Sequence, residues 1–280
     1  MSSRFAEVPI GKVREYWDRR PCNIRHSPAP VGTRQYFDEV EQRKYVVEPH
    51  IRAFAQFPRW AGKRVLEIGC GIGTDTMNFA RAGAKVTAVD LSPRSLQVAR
   101  QRAEVFGLTE RIQFVEANAE RLPDFVEPAP YDLVYSFGVI HHSPRPDVIL
   151  ANVRRHFIAA DGTLKVMVYH RRSWKVLGIL LREAHGAWWR VDDAIARNSE
   201  AQTGCPITYT YSRRTGTELL ADAGFQVTDV MIDHIFPYRV KDYVQYRYEK
   251  AIPFRWLPMP AMRTLERRLG WHLCLTARAQ

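Results

Sequence analysis

The sequence predicts an α/β domain with an open, mostly parallel sheet, and three observations carry that expectation. A short aliphatic run at residues 64–68 is broken by Gly69, Gly71 and Gly73 before a helical pattern begins near Thr74. A second run at 85–89 closes on Asp90. A later run at 162–169 is almost continuously apolar, as a strand covered on both faces should be.

The elements follow in order. Residues 10–58 carry Tyr36, Phe37, Val40, Tyr45, Val46, Ile51, Phe54 and Phe57 at helical spacing, so helices are expected before the first strand, with Pro49 marking a break or a start. Strand 64–68, the glycine loop, a helix from Thr74 and strand 85–89 come next. Residues 92–106 read as a helix, with Ser92 suited to the cap and Pro93 to the first turn. Strands are expected at 112–116 and 131–136, a helix at 145–159 and the buried strand at 162–169. Residues 173–200 read as an apolar, tryptophan-containing helical insertion. A helix at 213–223 ends at Gly224, strand 225–232 follows, residues 236–260 form a second elaboration, and 271–277 is the last strand.

The glycine segment describes a nucleoside site. Side chains at 69, 71 and 73 would hold the backbone away from a ligand lying across the strand ends, and positive φ is open to glycine there. The first N–H groups of the following helix would face an anionic group. Asp90 closes its strand about 20 residues beyond the first glycine, where a carboxylate accepts from two ribose hydroxyls and repels a 2′-phosphate. A dinucleotide fingerprint would need a small third residue at position 74, which is Thr, and Glu67 and Asp75 would sit badly against a pyrophosphate. These acids suit a ligand carrying an ammonium and a sulfonium. That disfavours the alternative of a nicotinamide-dependent oxidoreductase.

With E-x-G-x-G-x-G-x-D at residues 67–75 and the matched Asp90, the chain resembles the class I S-adenosylmethionine-dependent methyltransferases of the small-molecule type, well over residues 60–170 and weakly elsewhere. The resemblance implies a doubly wound, seven-stranded sheet with helices on both faces, its last strand antiparallel, plus a helical cap. It divides the chain into an amino-terminal arm or lid (1–58), a cofactor-binding core (59–170), a cap insertion (171–212) and a carboxyl-terminal part of the sheet (213–280) with a second cap segment (236–260). It implies S-adenosylmethionine as cofactor and S-adenosylhomocysteine as product, held by Glu67, Gly69, Cys70, Gly71, Gly73, Thr74, Asp90, Leu91, Asn118, Ala119, Phe137 and Gly138. The family commonly carries Asp-Ala where this chain has Asn118-Ala119; an Asn oxygen still accepts from the adenine amino group.

Methyl transfer from a sulfonium asks for an aligned acceptor, exclusion of water and a place for the acceptor's proton. His141 and His142 follow the fourth strand and are the candidate proton acceptors, and since adjacent residues rarely face the same way His141 is favoured for cofactor or substrate contact; the competing reading is that both pack and hydrogen-bond within the loop. Tyr169 and Arg171 leave the fifth strand at the same edge, and Arg171 or Arg172 suits a substrate carboxylate or phosphate, against the reading of solvated arginines. Tyr209 and Tyr211 offer stacking or core packing. Tyr16 and Trp17 offer a lid or a hydrophobic anchor for the arm.

At 280 residues and 46% hydrophobic, the chain can bury a substantial core. The amino terminus lacks the apolar stretch of a signal peptide, and no run approaches the roughly 20 apolar residues of a membrane span. Cys22, Cys70, Cys205 and Cys274 are scattered without metal-ligand spacing, so a reducing cytoplasm is expected and no metal is implied. The net charge of +11 would suit nucleic acid, anionic lipid or an acidic small substrate. There is no long basic tail. The segment after the fourth strand, FGVIHH, also departs from the Asp/Asn-Pro-Pro-Tyr/Phe pattern of methyltransferases acting on base amines. A small-molecule substrate, possibly acidic, is expected over a nucleic-acid one.

Overall fold

The computed structural model describes residues 5–183, 191–198 and 205–280. Three helices precede the sheet: α1 (Ile10–Arg19), α2 (Arg34–Val47) and α3 (His50–Ala55). The Thr33 hydroxyl caps α2 by accepting from the Tyr36 N–H at 3.1 Å, and Pro49 stands immediately before α3. Strand and helix then alternate through β1 (Arg64–Ile68), α4 (Thr74–Arg81), β2 (Lys85–Asp90), α5 (Pro93–Phe106), β3 (Ile112–Glu116), β4 (Tyr131–Phe137), α6 (Pro146–Asn152) and β5 (Ile158–His170). The remainder supplies α7 (Trp174–Arg182), α8 (Val191–Asn198), β6 (Thr210–Tyr211), α9 (Arg213–Asp222), β7 (Phe225–Asp233), α10 (Val240–Tyr243), α11 (Ile252–Arg255), α12 (Met259–Leu269) and β8 (His272–Ala279).

The sheet runs β3-β2-β1-β4-β5-β8-β7, with the two-residue β6 added beside β5. Pairings among β1 to β5 are parallel, and β8 is antiparallel to both β5 and β7. This is the expected α/β class, with its last strand reversed. Strand order turns at the β1/β4 boundary, which opens a crevice at the carboxyl ends of those strands. Alternate residues feed two cores. Val65, Val86, Ala88, Leu133, Tyr135 and Met167 pack on one face; Leu66, Ile68, Val89, Val134, Val166 and Leu275 pack on the other. No described helix is long and apolar enough to cross a membrane.

One element differs from expectation. The helix expected at 145–159 stops at Asn152; one wide turn, Val153–Phe157, leads into β5, which already pairs Ile158 with Tyr131. Asp161-Gly162 reads locally as a turn, yet it is a bulge within the strand, where register shifts between Tyr131 and Leu133. A Cβ on Gly162 would stand 2.9 Å from the Tyr131 carbonyl oxygen. Of the insertion expected at 173–200, α7 and α8 are helical; residues 184–190 and 199–200 lie outside the described residues.

Arg102, fully buried on α5, ties the arm to the sheet. Its guanidinium donates to Thr74 Oγ1 at 2.6 Å, to the Phe37 carbonyl at 3.0 Å and to Glu41 Oε2 at 3.2 Å, joining α5, α4 and α2. Removing one member of such a buried pair strands the other, although Glu41 keeps Arg81 at 2.8 Å. Arg102→Met should therefore cost about 3 kcal/mol, the low end for breaking a buried ion pair. Urea unfolding would check this, and a loss under about 1 kcal/mol would show that the guanidinium does not anchor the arm.

Candidate active site

Main-chain contacts fold the glycine loop over the end of β2. The Gly69 and Cys70 N–H groups donate to the Val89 carbonyl at 2.7 and 3.0 Å, and the Gly71 N–H donates to Asp90 Oδ2 at 2.8 Å. Gly69 has φ +80° and lies against Val139, whose Cγ2 would stand 2.2 Å from an added Cβ. Gly71 has φ +55° with open space where a Cβ would be. Position 69 thus needs glycine for conformation and for room, position 71 for conformation alone. Gly73, at φ +77°, starts α4. Asp90 Oδ1 accepts from the Ser92 N–H at 2.9 Å. Burial raises the Asp90 pKa while these N–H groups oppose the rise. A carboxylate can accept about four hydrogen bonds, so capacity remains for hydroxyl donors.

Asp90 lines a cavity of about 360 Å³ at the sheet's carboxyl edge. Its floor is Gly69, Cys70, Gly71, Thr74 and Leu91; Asn118, Ala119, Phe137 and Gly138 form one side, and His142 and Tyr169 lie at the far end. The arm covers it with Val13, Trp17 and Asn23. Asn118 uses its Oδ1 to accept from the Glu120 N–H at 3.0 Å, and Glu120 in turn holds the Ser143 hydroxyl and the Arg145 N–H, which fixes the loop carrying the histidines.

Several expected site residues stand behind this wall. Glu67 accepts from Thr76 Oγ1 at 2.5 Å, and burial beside Asp75 pushes its pKa up to about 8. Asp75 accepts from Lys44 Nζ at 2.7 Å, Tyr45 OH at 2.9 Å and Tyr135 OH at 3.0 Å, so a lysine of the chain already meets it. Burial pulls Lys44 down, but Asp75 and Glu48 outweigh it and its net shift is upward. His141 is enclosed: its ring lies 4.0 Å from that of Tyr169, neither ring nitrogen has a hydrogen-bond partner among the described residues, and burial holds it well below the usual histidine range. His142 is the one on the cavity wall, with Nδ1 2.7 Å from the Ile207 carbonyl. That contact puts the proton on Nδ1. Trp17 packs edge-on to His142, and Tyr16 packs behind Trp17.

Arg171 pairs with Asp192 and does not line the cavity, Arg172 is exposed, and Tyr211 is in the core beneath β5. The Tyr209 hydroxyl accepts from the Phe5 N–H at 3.3 Å, away from the cavity. The strands' alternation decides these placements, since leaving a strand at the right edge does not fix the face a side chain takes.

Sequence reasoning missed further residues of the lining: Lys44, Glu48, Lys175, His234, Trp271 and His272. Tyr169 and Trp271 stack at 4.1 Å there. Burial drives His234 down to about 3 and His272 well below the usual histidine range, so both imidazoles are neutral near pH 7. These residues come from the end of α2, the start of α7 and the β7–β8 region, and no spacing in the sequence links them.

Residues 65–158 match the family model of a methyltransferase domain. A ubiquinone biosynthesis O-methyltransferase of Xylella fastidiosa (strain 9a5c) is 35% identical over 113 residues, covering 40% of this chain and 44% of the relative; the chain thus spans under half of that relative's length. The crystal structure of magnesium protoporphyrin IX methyltransferase from Synechocystis PCC 6803 with bound SAH superposes with a TM-score of 0.58 at 17% identity, over 97% of this chain and 100% of that one. The [4+2]-cyclase SpnF superposes at 0.56 and 18% identity, over 95% and 94%. At such identities the likeness is one of fold.

Two substitutions separate the roles of the glycines. Gly69→Ala should destabilise by about 2–4 kcal/mol, combining left-handed strain with overpacking, and Gly71→Ala by about 1–2 kcal/mol from strain alone. Equal losses in urea unfolding would remove the Val139 contact as a cause. For Glu67 the folded pKa is raised above the unfolded one, so its contribution is full below about pH 4.5 and is lost as pH climbs through about 8. Glu67→Gln should therefore gain on wild type between pH 5 and pH 8.5, with a slope approaching about 1.4 kcal/mol per pH unit at most. Parallel stability curves in the ligand-free protein would contradict the assignment.

Proposed function

We propose, for a chain whose residues 65–158 match the family model of a methyltransferase domain, that it is a class I enzyme transferring a methyl group from S-adenosylmethionine to oxygen or nitrogen, less readily carbon, of a small metabolite. The buried Asp90 carboxylate carries this reading: two main-chain N–H groups position it, it faces the cavity, and it retains lone pairs for two ribose hydroxyls. The bare backbone at Gly69 and Gly71 lets the nucleoside lie close, and Asn118 stands where the adenine amino group would reach it. Cys70, Thr74, Leu91, Ala119, Phe137 and Gly138 complete the cradle, with Gly73 shaping the turn into α4. Lys44 Nζ suits the carboxylate of the methionine portion. Glu67 and Asp75 act from behind by holding Lys44 and α4.

When bound, the cofactor supplies an electrophilic methyl carbon and a thioether leaving group. The chain's part is alignment, worth roughly 7–11 kcal/mol, and exclusion of water by Trp17 and the arm. His142, on the cavity wall, is the group placed to take the acceptor's proton, while enclosed His141 and Tyr16 position His142 and Trp17. The aromatic wall of Tyr169 and Trp271 suits a planar acceptor, and Lys175 beside it suits one bearing an acidic or oxygen-rich group. The match to a relative named for O-methylation in ubiquinone biosynthesis supports a small oxygen acceptor. The four cysteines form no disulfide among the described residues, which suits a reducing, cytoplasmic setting. The cyclase among the fold's neighbours keeps the reaction itself a matter for experiment.

The test combines binding and turnover. Asp90→Asn should weaken S-adenosylmethionine binding by more than about tenfold in calorimetry, since it loses charge-assisted bonds to two hydroxyls, and Asn118→Ala by less. Wild type incubated with methyl-labelled donor and fractionated small-molecule extract should label one fraction. Equal affinity of wild type and Asp90→Asn would sink the cofactor placement; binding without label in any fraction would sink the transferase reading.

A further inference from the structure

We propose that Glu48, His234 and His272 form a binding site for one transition-metal dication of the zinc class, opening into the cavity. The site goes beyond the methyl-transfer reading, because metal binding at these three residues does not depend on which reaction the cavity serves. Their ligand atoms lie within 4.8 Å of one another, and all three residues line the cavity.

The ring orientations carry the inference. His272 Nδ1 lies 2.9 Å from His50 Nε2, and His50 Nδ1 lies 3.7 Å from Asp233 Oδ1. The two outer contacts are nearly equal in length, so the imidazole pair can carry its shared proton on either ring; with an ion at His272 Nε2 the proton sits on His272 Nδ1 and is accepted by His50 Nε2. His272 Nε2 then presents its lone pair 3.6 Å from Glu48 Oε1. The His234 ring faces that of His272, 4.5 Å away. The His272 imidazole is thus oriented from behind by His50. This is the outer-shell support that orients metal-ligating imidazoles.

The separations suit an ion better than a hydrogen bond. At 3.6 Å, Nε2 and Oε1 are too far apart for a hydrogen bond. Two donors about 2.1 Å from one ion reach that separation at an angle of roughly 120°. Donors on a tetrahedral ion at that distance stand roughly 3.4 Å apart, so the widest pair closes by up to about 1.4 Å on binding. Glu48, at the end of α2, is 20% exposed, whereas both histidines are buried. The histidines are rigidly presented. His234 takes φ +70°, rare for a residue with a side chain, its N–H donates to Asp233 Oδ1 at 2.7 Å, and its carbonyl accepts from the Trp271 N–H at 2.7 Å. Gly270 permits this crossing, since a Cβ there would stand 2.2 Å from the Asp233 carbonyl oxygen.

Two imidazoles and one carboxylate select zinc, iron(II) or cobalt(II) over magnesium or calcium, and three protein ligands leave a position open toward the cavity. Lys175 faces the same histidines from α7, so an anionic oxygen in the open position would be met by two positive charges.

The test uses full-length protein stripped with chelator and titrated with cobalt(II), then zinc(II). One equivalent of cobalt should bind with the visible absorption of a four- or five-coordinate ion, and zinc should displace it. Glu48→Gln and His234→Asn, checked for folding by circular dichroism, should each weaken cobalt binding at least tenfold. Asp90→Asn, which tests the cofactor site, should leave it unchanged, so failure of one reading is visible apart from failure of the other. No binding by folded wild type, or equal binding by Glu48→Gln and His234→Asn, would overturn the proposal. Cobalt binding that showed only the weak absorption of a hydrated, six-coordinate ion would also overturn it.

Discussion

The cavity exists because the glycine loop is pinned to the end of β2 by its own main chain. Two N–H groups share the Val89 carbonyl, and a third reaches Asp90. These bonds satisfy donors that would otherwise be buried without partners where a strand ends and a helix has not begun. They also spend one side of the Asp90 carboxylate on the protein and turn the other side to the cavity. The positive φ values at Gly69 and Gly71 are the conformational condition for this folding back.

Beneath the loop lies a compact set of buried charges whose balance depends on the arm. Asp75 is met by Lys44, Tyr45 and Tyr135, and Glu67 shares the neighbourhood with its pKa raised. Without Lys44, two carboxyls would face each other across a dry interior, a costly arrangement for either to ionise. Arg102 fastens α2 from the other side through Glu41 and the Phe37 carbonyl. The amino-terminal helices are therefore an electrostatic part of the floor as well as a cover.

Legibility in the sequence followed the range of the interactions. Strand, glycine loop, Asp90 and the Ser92 cap are set by neighbours a few residues away, and they were readable as a pattern. The boundary at 152–158 was not, because the bulge at Gly162 answers to its partner Tyr131 rather than to its own turn-like composition. The alternation in TYTYS made core packing legible for Tyr211, whereas Arg171 was placed at the right edge but the face its side chain takes depends on pairing that one strand does not reveal. Among the adjacent histidines only the fold distinguishes His142 on the wall from His141 behind it. Glu48, His50, His234 and His272 come together from distant segments, and the scattered cysteines, the more familiar metal signal, pointed nowhere.

The placement of β8 has a consequence for how the molecule is made. It lies between β5 and β7, although it follows both in the chain. During synthesis from the amino terminus, β7 has α9 to pack against but no strand partner until β8 follows it. The glycine-loop half can assemble on β1 to β5 first, while the histidine wall is closed by the last strand to arrive. Translational pausing or chaperone occupancy late in the chain would thus act on one half of the pocket after the other is already standing.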